Sequence, residues 1–283
     1  MVKEFIFNKT PKIFFGPGKI KLLPDLAGKL GSSLLLLRGE GPIYDTNAGK
    51  EVINILKSNK FVYNEAVVLT EPSPQIIDSI VSSFKNSNIE VVIGIGGGSV
   101  IDAGKAVSAM LPLQEPVMNF LEGVGCKEHP GLKLPYIAIP TTSGTGSEVT
   151  KNAVLSEIGT DGFKKSLRHD CFAPDIAIVD PQLTMTCPPN ITAFSGMDAF
   201  TQLLESYLSV KSNIITDALA FEGLKRIKNS ILPVYLEGDK NLDARSSMSF
   251  AAMLSGLTLA NAGLGVVHGF ALKFGMHVPF DFE

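Results

Sequence analysis

The sequence predicts an α/β fold, in which a parallel β-sheet covered by helices is followed by an all-helical domain. In the first hundred residues, short apolar runs typical of buried strands alternate with helical periodicities, as in parallel sheets. A glycine-rich turn joins the apolar run at residues 91–95 to the start of a helix. From Thr192 onwards only long helical periodicities remain. We therefore predict an α/β domain over residues 1–182 and a helical domain over residues 183–283.

The individual elements follow from the apolar patterns. Residues 5–7 and 12–15 predict a short hairpin around Asn8–Pro11. The other predicted strands lie at residues 34–37, 66–70, 91–95, 136–139, 153–155 and 176–179. The predicted helices lie at residues 19–30, 49–58, 73–83, 192–208, 216–231 and 243–259, and residues 99–102 are expected to form the first turn of a further helix. This order predicts a Rossmann-like parallel sheet.

Composition narrows the class of protein. Of the 283 residues, 45% are hydrophobic and 19% are charged, which is typical of a chain that builds a core. The net charge is −3 and the charged residues are scattered along the chain, so we expect no nucleic-acid partner. The cysteines, Cys126, Cys171 and Cys187, lack CxxC spacing, and we expect reduced, mostly buried thiols. No signal peptide or membrane span is evident, so the prediction is a cytoplasmic protein.

The segment VVIGIGGGSVIDAGKA at residues 91–106 combines a buried strand, four glycines and a helix start. This arrangement presents backbone N–H groups and the positive end of a helix to an anion. It lacks the dinucleotide GxGxxG spacing, because Ser99 or Val100 stands where a glycine is required. We favour a phosphate-binding turn over a tight turn without a ligand.

A second small-residue unit, PYIAIPTTSGTGSEVT, follows the apolar run at residues 136–139. Its hydroxyl groups alternate with glycines, a pattern that suits hydrogen bonds to phosphate, ribose and carboxamide groups. The alternative is a flexible surface loop. Ligand binding is the better interpretation, because this is the second such unit after an apolar strand.

The loop Arg38-Gly39-Glu40 lies where a Rossmann-like half meets the adenosine ribose. A carboxylate there binds the ribose 2′-hydroxyl, whereas a glycine leaves room for a 2′-phosphate. Gly39 is flanked by Glu40, so both NAD and NADP stay open. Arg38 and Glu40 are equally well explained as solvated loop charges.

Three residues of the helical part suit a divalent metal. Asp198 and Gln202 are four residues apart and share one helical face, and His268 lies far downstream. Carboxylate, amide and imidazole groups form a reasonable donor set for Fe or Zn. Taken alone, Asp198 is also explained as a helix-dipole partner and His268 as a packed side chain.

Six motifs, in order along the chain, resemble the iron-containing (group III) alcohol dehydrogenase family. They are FFGPGKI, GIGGGSVIDAGKA, PTTSGTGSEVT, PDIAIVDPQLT, SGMDAFTQLLESYLS and GLGVVHGFA, which span residues 14–271. The resemblance implies a dehydroquinate synthase-like fold. It also implies a dinucleotide-binding domain, a helical metal-binding domain and an active site in the cleft between them, with NAD or NADP and Fe(II), or alternatively Zn, as cofactors.

The resemblance also implies roles for individual residues. The positions it assigns to cofactor binding are Gly97, Gly98, Ser99, Asp102, Thr141, Thr142, Thr145, Ser147, Asn152 and Lys164, to which the loop argument adds Gly39. Asp198 and His268 match two family metal ligands, and Gln202 stands where many members have a ligand histidine.

After Ala271 the chain departs from the family pattern and reads LKFGMHVPFDFE. Ungapped counting places Phe282 at the position of the last ligand histidine, and His277 lies five residues before it. We therefore expect an incomplete helical domain. Its truncation is expected to expose apolar faces of residues 216–231 and 243–259.

The leading functional hypothesis is a metal-dependent alcohol dehydrogenase. It would transfer a hydride between a small primary or secondary alcohol, or the corresponding carbonyl compound, and NAD(P), and would act as a homodimer. The alternatives are a catalytically silent dinucleotide-binding protein and a lyase of the dehydroquinate synthase type. The PTTSGTGSE and GMDA motifs favour the dehydrogenase.

Overall fold

The computed structural model describes residues 4–58, 61–159 and 162–274. Six strands form one parallel sheet: β1 (Lys12–Phe15), β2 (Ser33–Arg38), β3 (Val62–Val67), β4 (Val91–Gly96), β5 (Tyr136–Pro140) and β8 (Ile176–Val179). The strand order is β1-β8-β5-β4-β2-β3. Strands β6 (Asn152–Glu157) and β7 (Phe163–Arg168) form a separate antiparallel pair.

The helices divide into two groups. Those that accompany the sheet are α1 (Leu23–Gly28), α2 (Asn47–Ser58), α3 (Pro74–Phe84) and α4 (Gly98–Met110). Those that follow it are α5 (Pro189–Leu208), α6 (Ile214–Glu237), α7 (Leu242–Ala262) and α8 (Val266–Phe274). The predicted fold class, an α/β parallel-sheet domain followed by a helical region, is confirmed.

The central strands of the sheet are apolar because helices cover both of its faces. Every residue of β4, VVIGIG, and of β5, YIAIP, is buried. Separate apolar clusters pack on opposite faces of β2, with Leu35 and Leu37 in one cluster and Leu34 and Leu36 in the other. Continuous apolar strands of this kind are typical of parallel sheets.

Helix α7 is the centre of the helical region. Its buried residues include Met248, Ala251, Ala252 and Leu254, and it packs against both α5 and α6. The expectation that residues 243–259 expose an apolar face is therefore wrong for the described part of the chain. Exposed apolar side chains lie on α5 and α6 instead, at Leu204, Tyr207, Leu208, Phe221, Leu232 and Leu236.

Two further expectations are corrected. The N-terminal hairpin is wrong: residues 4–11 form no strand, and β1 pairs in parallel with β8, because the sheet edge at β8 offers β1 a partner. The three cysteines are free, as expected, but Cys126 and Cys171 are exposed and Cys187 is partly buried. Within the described ranges, no helix combines the length and apolar character needed to cross a membrane.

Candidate active-site cleft

A cleft of about 660 Å³ lies where the N-terminus of α4, the β6–β7 pair and the helical region meet. Ten of the residues singled out in the sequence line it: Gly98, Ser99, Asp102, Thr145, Ser147, Asn152, Lys164, Asp198, Gln202 and His268. The fold thus brings the two small-residue loops and the three candidate metal ligands to one cavity, although they are far apart along the chain.

Four other predicted residues lie outside the lining of this cleft. Gly97 is the N-cap of α4, and the backbone N–H groups of Val100 and Ile101 donate to its carbonyl oxygen. A Cβ atom on Gly97 would lie 3.5 Å from Cγ2 of Thr142, so the two loops touch there. The backbone N–H of Thr141 donates to the carbonyl of Gly96 at 2.9 Å, holding the second loop beside the first.

Gly39 lies at the carboxyl end of β2, away from the lining residues of the cleft. Its N–H group donates to the hydroxyl of Tyr44, which in turn donates to the carbonyl of Ile95. Arg38 is held by Glu65, with Nε 2.6 Å from Oε1, and stacks over the Tyr44 ring. Burial raises the pKa of Tyr44 to about 12. The Tyr44 phenol and an arginine paired with Glu65 thus flank the glycine.

The first turn of α4 is open to a ligand because Gly98 has no side chain. A Cβ atom at Gly98 would lie 2.7 Å from Cγ2 of Thr145, which is closer than packed atoms approach. Glycine therefore allows the two loops to pack together and leaves backbone N–H groups at the positive end of the helix.

A buried cation, Lys105, ties the two loops to β6. Its Nζ donates to Ser147 Oγ at 2.8 Å, to Thr150 Oγ1 at 2.9 Å and to the carbonyl of Asn152 at 2.5 Å. It also lies 3.2 Å from Oδ1 of Asp102. Burial lowers the pKa of Lys105, and the neighbouring Asp102 charge opposes that shift.

Asp102 has little capacity left for a cofactor. Ser147 donates to its Oδ1, the backbone N–H of Val154 donates to its Oδ2 at 3.1 Å, and its side chain is 15% exposed. These contacts make Asp102 a link between α4, the second loop and β6.

Glu148 is a second buried ionisable group beside this network, and burial raises its pKa to about 7 although Lys105 opposes the shift. The folded pKa lies above the ordinary value of 4.5, so the buried carboxyl favours its neutral form. Its contribution to stability is present below pH 4.5 and is lost as the pH rises through 7.

We expect Glu148→Gln to remove this pH dependence. The free energy of unfolding of the variant, measured relative to the unmodified protein, should be about 2.5 kcal/mol more favourable at pH 8 than at pH 5. Urea denaturation at both pH values measures the difference. The exposed Glu237→Gln is the control and should behave alike at both pH values. An equal effect of Glu148→Gln at pH 5 and pH 8 would contradict the prediction.

The β6–β7 pair forms the polar wall of the cleft. Lys164, on β7, places Nζ 2.9 and 3.0 Å from the two carboxylate oxygens of Glu71, to which Ser156 Oγ also donates at 2.7 Å. Burial raises the pKa of Glu71, but the hydrogen bonds from Ser156 and Lys164 outweigh it and leave the pKa below its ordinary value. Lys164 therefore faces the cleft as one half of an ion pair.

The three candidate metal ligands meet at the opposite end. His268 Nε2 lies 3.1 Å from Asp198 Oδ1, and Gln202 Nε2 lies 2.8 Å from Asp198 Oδ2. Two ligand atoms at right angles on one Zn or Fe ion, each about 2.1 Å from it, are roughly 3 Å apart. The spacing therefore fits a shared metal. Among the described residues, no group of three or more His, Cys, Asp or Glu side chains could hold a metal ion. Here the third donor is instead the Gln202 amide.

The orientation of the Gln202 amide bears on this fit. Ser255 Oγ lies near three acceptors, namely the carbonyls of Gly144 (3.3 Å) and Ala252 (2.7 Å) and Gln202 Oε1 (2.9 Å). One hydroxyl proton serves only one of them. Flipping the amide, which exchanges Oε1 and Nε2, makes its NH₂ group donate to Ser255 and turns Oε1 toward Asp198 and His268, as a metal ligand requires. The donor set therefore fits a divalent metal.

His268 is held from both sides by carboxylates. Its Nδ1 lies 2.5 Å from Oε2 of Glu205, opposite the Nε2 contact with Asp198. Burial lowers the pKa of His268, but the hydrogen bonds with Asp198 and Glu205 outweigh it and raise the pKa above its ordinary value. Phe282 and His277, discussed for the last ligand position, lie outside the described residues.

The sequence reasoning missed Lys105, Glu71 and Glu205. Lys105 follows Asp102 by three residues and Glu205 follows Asp198 by seven, so both spacings place the pair on one helical face. That signal was available for both residues. Glu71 gave none, since its partners lie on β6 and β7, far along the chain.

Two family models match the sequence of this chain. Residues 10–181 match the model for iron-containing alcohol dehydrogenase, and residues 192–280 match the C-terminal model of the Fe-containing alcohol dehydrogenase family. The chain belongs to the iron-containing alcohol dehydrogenase family. Its parallel sheet, small-residue loops and helical region are accordingly those of an alcohol dehydrogenase, as the sequence motifs predicted.

Three similar proteins are 27% to 34% identical to this chain. The long-chain-alcohol dehydrogenase 1 of Geobacillus thermodenitrificans is 34% identical over 90% of this chain and 64% of its own length. The NADPH-dependent butanol dehydrogenase of Clostridium saccharobutylicum is 32% identical over 96% of this chain and 69% of its own. The structure of sulfoacetaldehyde reductase from Bifidobacterium kashiwanohense in complex with NAD⁺ has a TM-score of 0.86 and 27% identity, covering 96% of this chain and 71% of that one.

Membership in this family confirms the predicted function, NAD(P)-dependent alcohol dehydrogenase, and the predicted cofactors, NAD(P) and iron. The silent dinucleotide-binding alternative is not favoured. The chain spans about two thirds of the length of the two enzymes compared by sequence.

Proposed function

We propose that this cleft transfers a hydride between a small primary or secondary alcohol and the nicotinamide of NAD(P), giving the aldehyde or ketone, NAD(P)H and a proton. The observation that carries the proposal is one cavity lined at one end by the Gly98–Ser99 helix start and at the other by Asp198, Gln202 and His268. A dinucleotide and an alcohol thus have adjacent places in the same cleft.

In this proposal the α4 start, Gly97, Gly98 and Ser99, binds the pyrophosphate through backbone N–H groups. Thr141, Thr142, Thr145 and Ser147 supply hydroxyls toward the phosphate and nicotinamide side, together with Asn152 and Lys164, and Gly39 faces the adenosine ribose. Asp102 acts through Lys105 and Ser147, since its oxygens are engaged by protein groups. The close packing of the two loops supports this assignment.

Asp198, Gln202 and His268 would hold the iron through a carboxylate oxygen, the amide oxygen and Nε2. Iron held by these residues would supply Lewis acidity toward an alcohol oxygen. Ser255 keeps the Gln202 amide in place at 2.9 Å. The apolar part of the lining, which includes Leu259 and Leu264, keeps water from the transferred hydride.

The first experiment is the metal content of the purified protein, measured by plasma mass spectrometry with iron kept reduced and NAD(H) added. We expect near-stoichiometric metal, a loss of at least tenfold in Asp198→Ala, and retained NAD(P)H binding in that variant, because the cofactor loops do not depend on Asp198. Asp243→Ala, at an exposed position of α7, is the matched control and should keep the metal.

Absence of metal from the unmodified protein, with the cofactor still bound, would contradict a metal-dependent dehydrogenase. Retention of metal in Asp198→Ala would contradict the assignment of this residue. Hydride transfer to small alcohols and aldehydes, followed as NAD(P)H absorbance, then identifies the substrate class.

We further propose two domains, residues 1–182 for the dinucleotide and 183–283 for the metal. The end of β8 at Val179 and the start of α5 at Pro189 support a boundary in this interval. A cytoplasmic homodimer is proposed as well. The exposed apolar side chains of α5 and α6 support self-association, and free cysteines suit a reducing compartment.

A further inference from the structure

Glu205 is a nearly buried carboxylate next to the metal end of the cleft that the ligand set does not include. It follows Asp198 by seven residues, two helical turns, so both side chains leave the same face of α5. The side chain of Glu205 is only 9% exposed, against 36% for Asp198. A buried carboxylate is unfavourable unless its oxygens are hydrogen-bonded.

Both oxygens of Glu205 are engaged by the first turn of α8. The backbone N–H of Val267 donates to Oε1 at 2.6 Å, and Oε2 lies 2.5 Å from Nδ1 of His268. The carboxylate therefore accepts hydrogen bonds, and neither oxygen is free to be a metal ligand.

The contact determines which nitrogen of His268 faces the cleft with a lone pair. A neutral imidazole carries one N–H, and a carboxylate beside Nδ1 requires the proton on that atom. In the neutral ring Nε2 then carries the lone pair. It lies 3.1 Å from Asp198 Oδ1, and a cation bound to both atoms would relieve the repulsion between these two acceptors. A metal-binding histidine ordinarily donates its other N–H to such a partner, which fixes its tautomer and its ring orientation.

We propose that Glu205 is a positioning residue, which holds His268 in the Nδ1–H tautomer with Nε2 directed at the metal position. The proposal rests on the proposed function, since it requires the metal site of Asp198, Gln202 and His268. With an amide in place of one histidine, His268 is the one imidazole donor among these three ligands, so its orientation carries more of the metal affinity.

The test is a Co(II) titration of the metal-free protein, followed by visible absorption. Glu205→Gln offers one carbonyl oxygen to two donors, and its NH₂ group placed beside Nδ1 would favour the opposite tautomer. We expect Co(II) to bind about 10- to 100-fold more weakly. Asp78→Asn is the matched control: Asp78 also accepts a backbone N–H, from Val117 at 2.9 Å, and its substitution should leave Co(II) affinity unchanged.

If Glu205 were only an acceptor for the backbone N–H of Val267, its substitution would lower thermal stability without acting through the His268 ring. In a His268→Ala background, Glu205→Gln should therefore have little further effect on Co(II) affinity. Equal losses in both backgrounds would overturn the proposal. Unchanged affinity in Glu205→Gln would overturn it as well.

The ¹⁵N spectrum of His268 in the unmodified protein with Zn(II) bound gives a test that needs no variant. We expect Nδ1 to carry the proton and Nε2 to bind the metal. A metal-bound Nδ1 would overturn the proposal even if Glu205→Gln failed to fold. A protein that binds no Co(II) at all would overturn the metal site and this proposal together. Binding that is insensitive to Glu205 would overturn this proposal alone.

Discussion

Replacing Gly256 by alanine is expected to lower kcat/KM about 100-fold, because it separates the central helix from the second cofactor loop. Gly256 lies in α7, and a Cβ atom there would lie 2.2 Å from the carbonyl oxygen of Gly146 and 2.7 Å from Cγ2 of Val149. Neither the backbone of the loop nor the buried helix can give way cheaply, so one of them must shift by about 1 Å.

The loop has no simple way to relax. Gly146 has a φ of +61°, in the left-handed region that glycine tolerates, and a Cβ atom on it would lie 2.5 Å from Cα of Gly256. The two glycines therefore form a backbone-to-backbone contact beside Thr145 and Ser147, which line the cleft. Any displacement of the loop moves those hydroxyls relative to the nicotinamide.

Steady-state kinetics and NAD(P)H binding measured on the folded variant test this prediction. Gly28→Ala, at the end of α1, is the matched control, because a Cβ atom there meets only Phe61 at an ordinary 3.8 Å. The control should keep full activity. A folded Gly256→Ala variant with unchanged kcat/KM would show that the loop does not need the close approach.

Much of the fold could be predicted because the signals are local. The unbroken leucine run of β2 and the apolar residues of β4 and β5 are what a strand covered on both faces requires, and they were visible without any tertiary information. The glycine turn before α4 was equally local, since a strand, a glycine run and a helix start are contiguous in the sequence.

The parts that failed depend on distant partners. Strand β1 pairs with β8, which lies far along the chain, so its local pattern indicated a hairpin that does not form. Helix α7 was expected to expose a face, but it is surrounded by α5, α6 and the second loop. The candidate metal ligands were indicated by residue type and helical spacing and then matched by the family resemblance, whereas the contact between Glu205 and His268 required the position of α8.

Lys105→Met is expected to be strongly destabilising, because it removes a buried cation. Methionine has a similar volume, so the loss reports on the charge and its hydrogen bonds and not on a cavity. The carboxylate of Asp102 would lose its charge partner, and Ser147, Thr150 and the carbonyl of Asn152 would lose a donor. Breaking a buried ion pair from one side lowers the free energy of unfolding by about 3–5 kcal/mol. Chemical denaturation measures that loss.

The same change should weaken cofactor binding, since Ser147 and Asn152 line the cleft. Lys228→Met, at an exposed position of α6, is the matched control and should leave both stability and NAD(P)H affinity unchanged. Adding Asp102→Asn should restore part of the stability, because the unpaired buried charge is then removed as well. The contrary result is simple additivity, in which Asp102→Asn destabilises the Lys105→Met protein as much as it destabilises the unmodified protein. The two residues would then not be coupled, and Lys105 would act through the hydroxyls of Ser147 and Thr150.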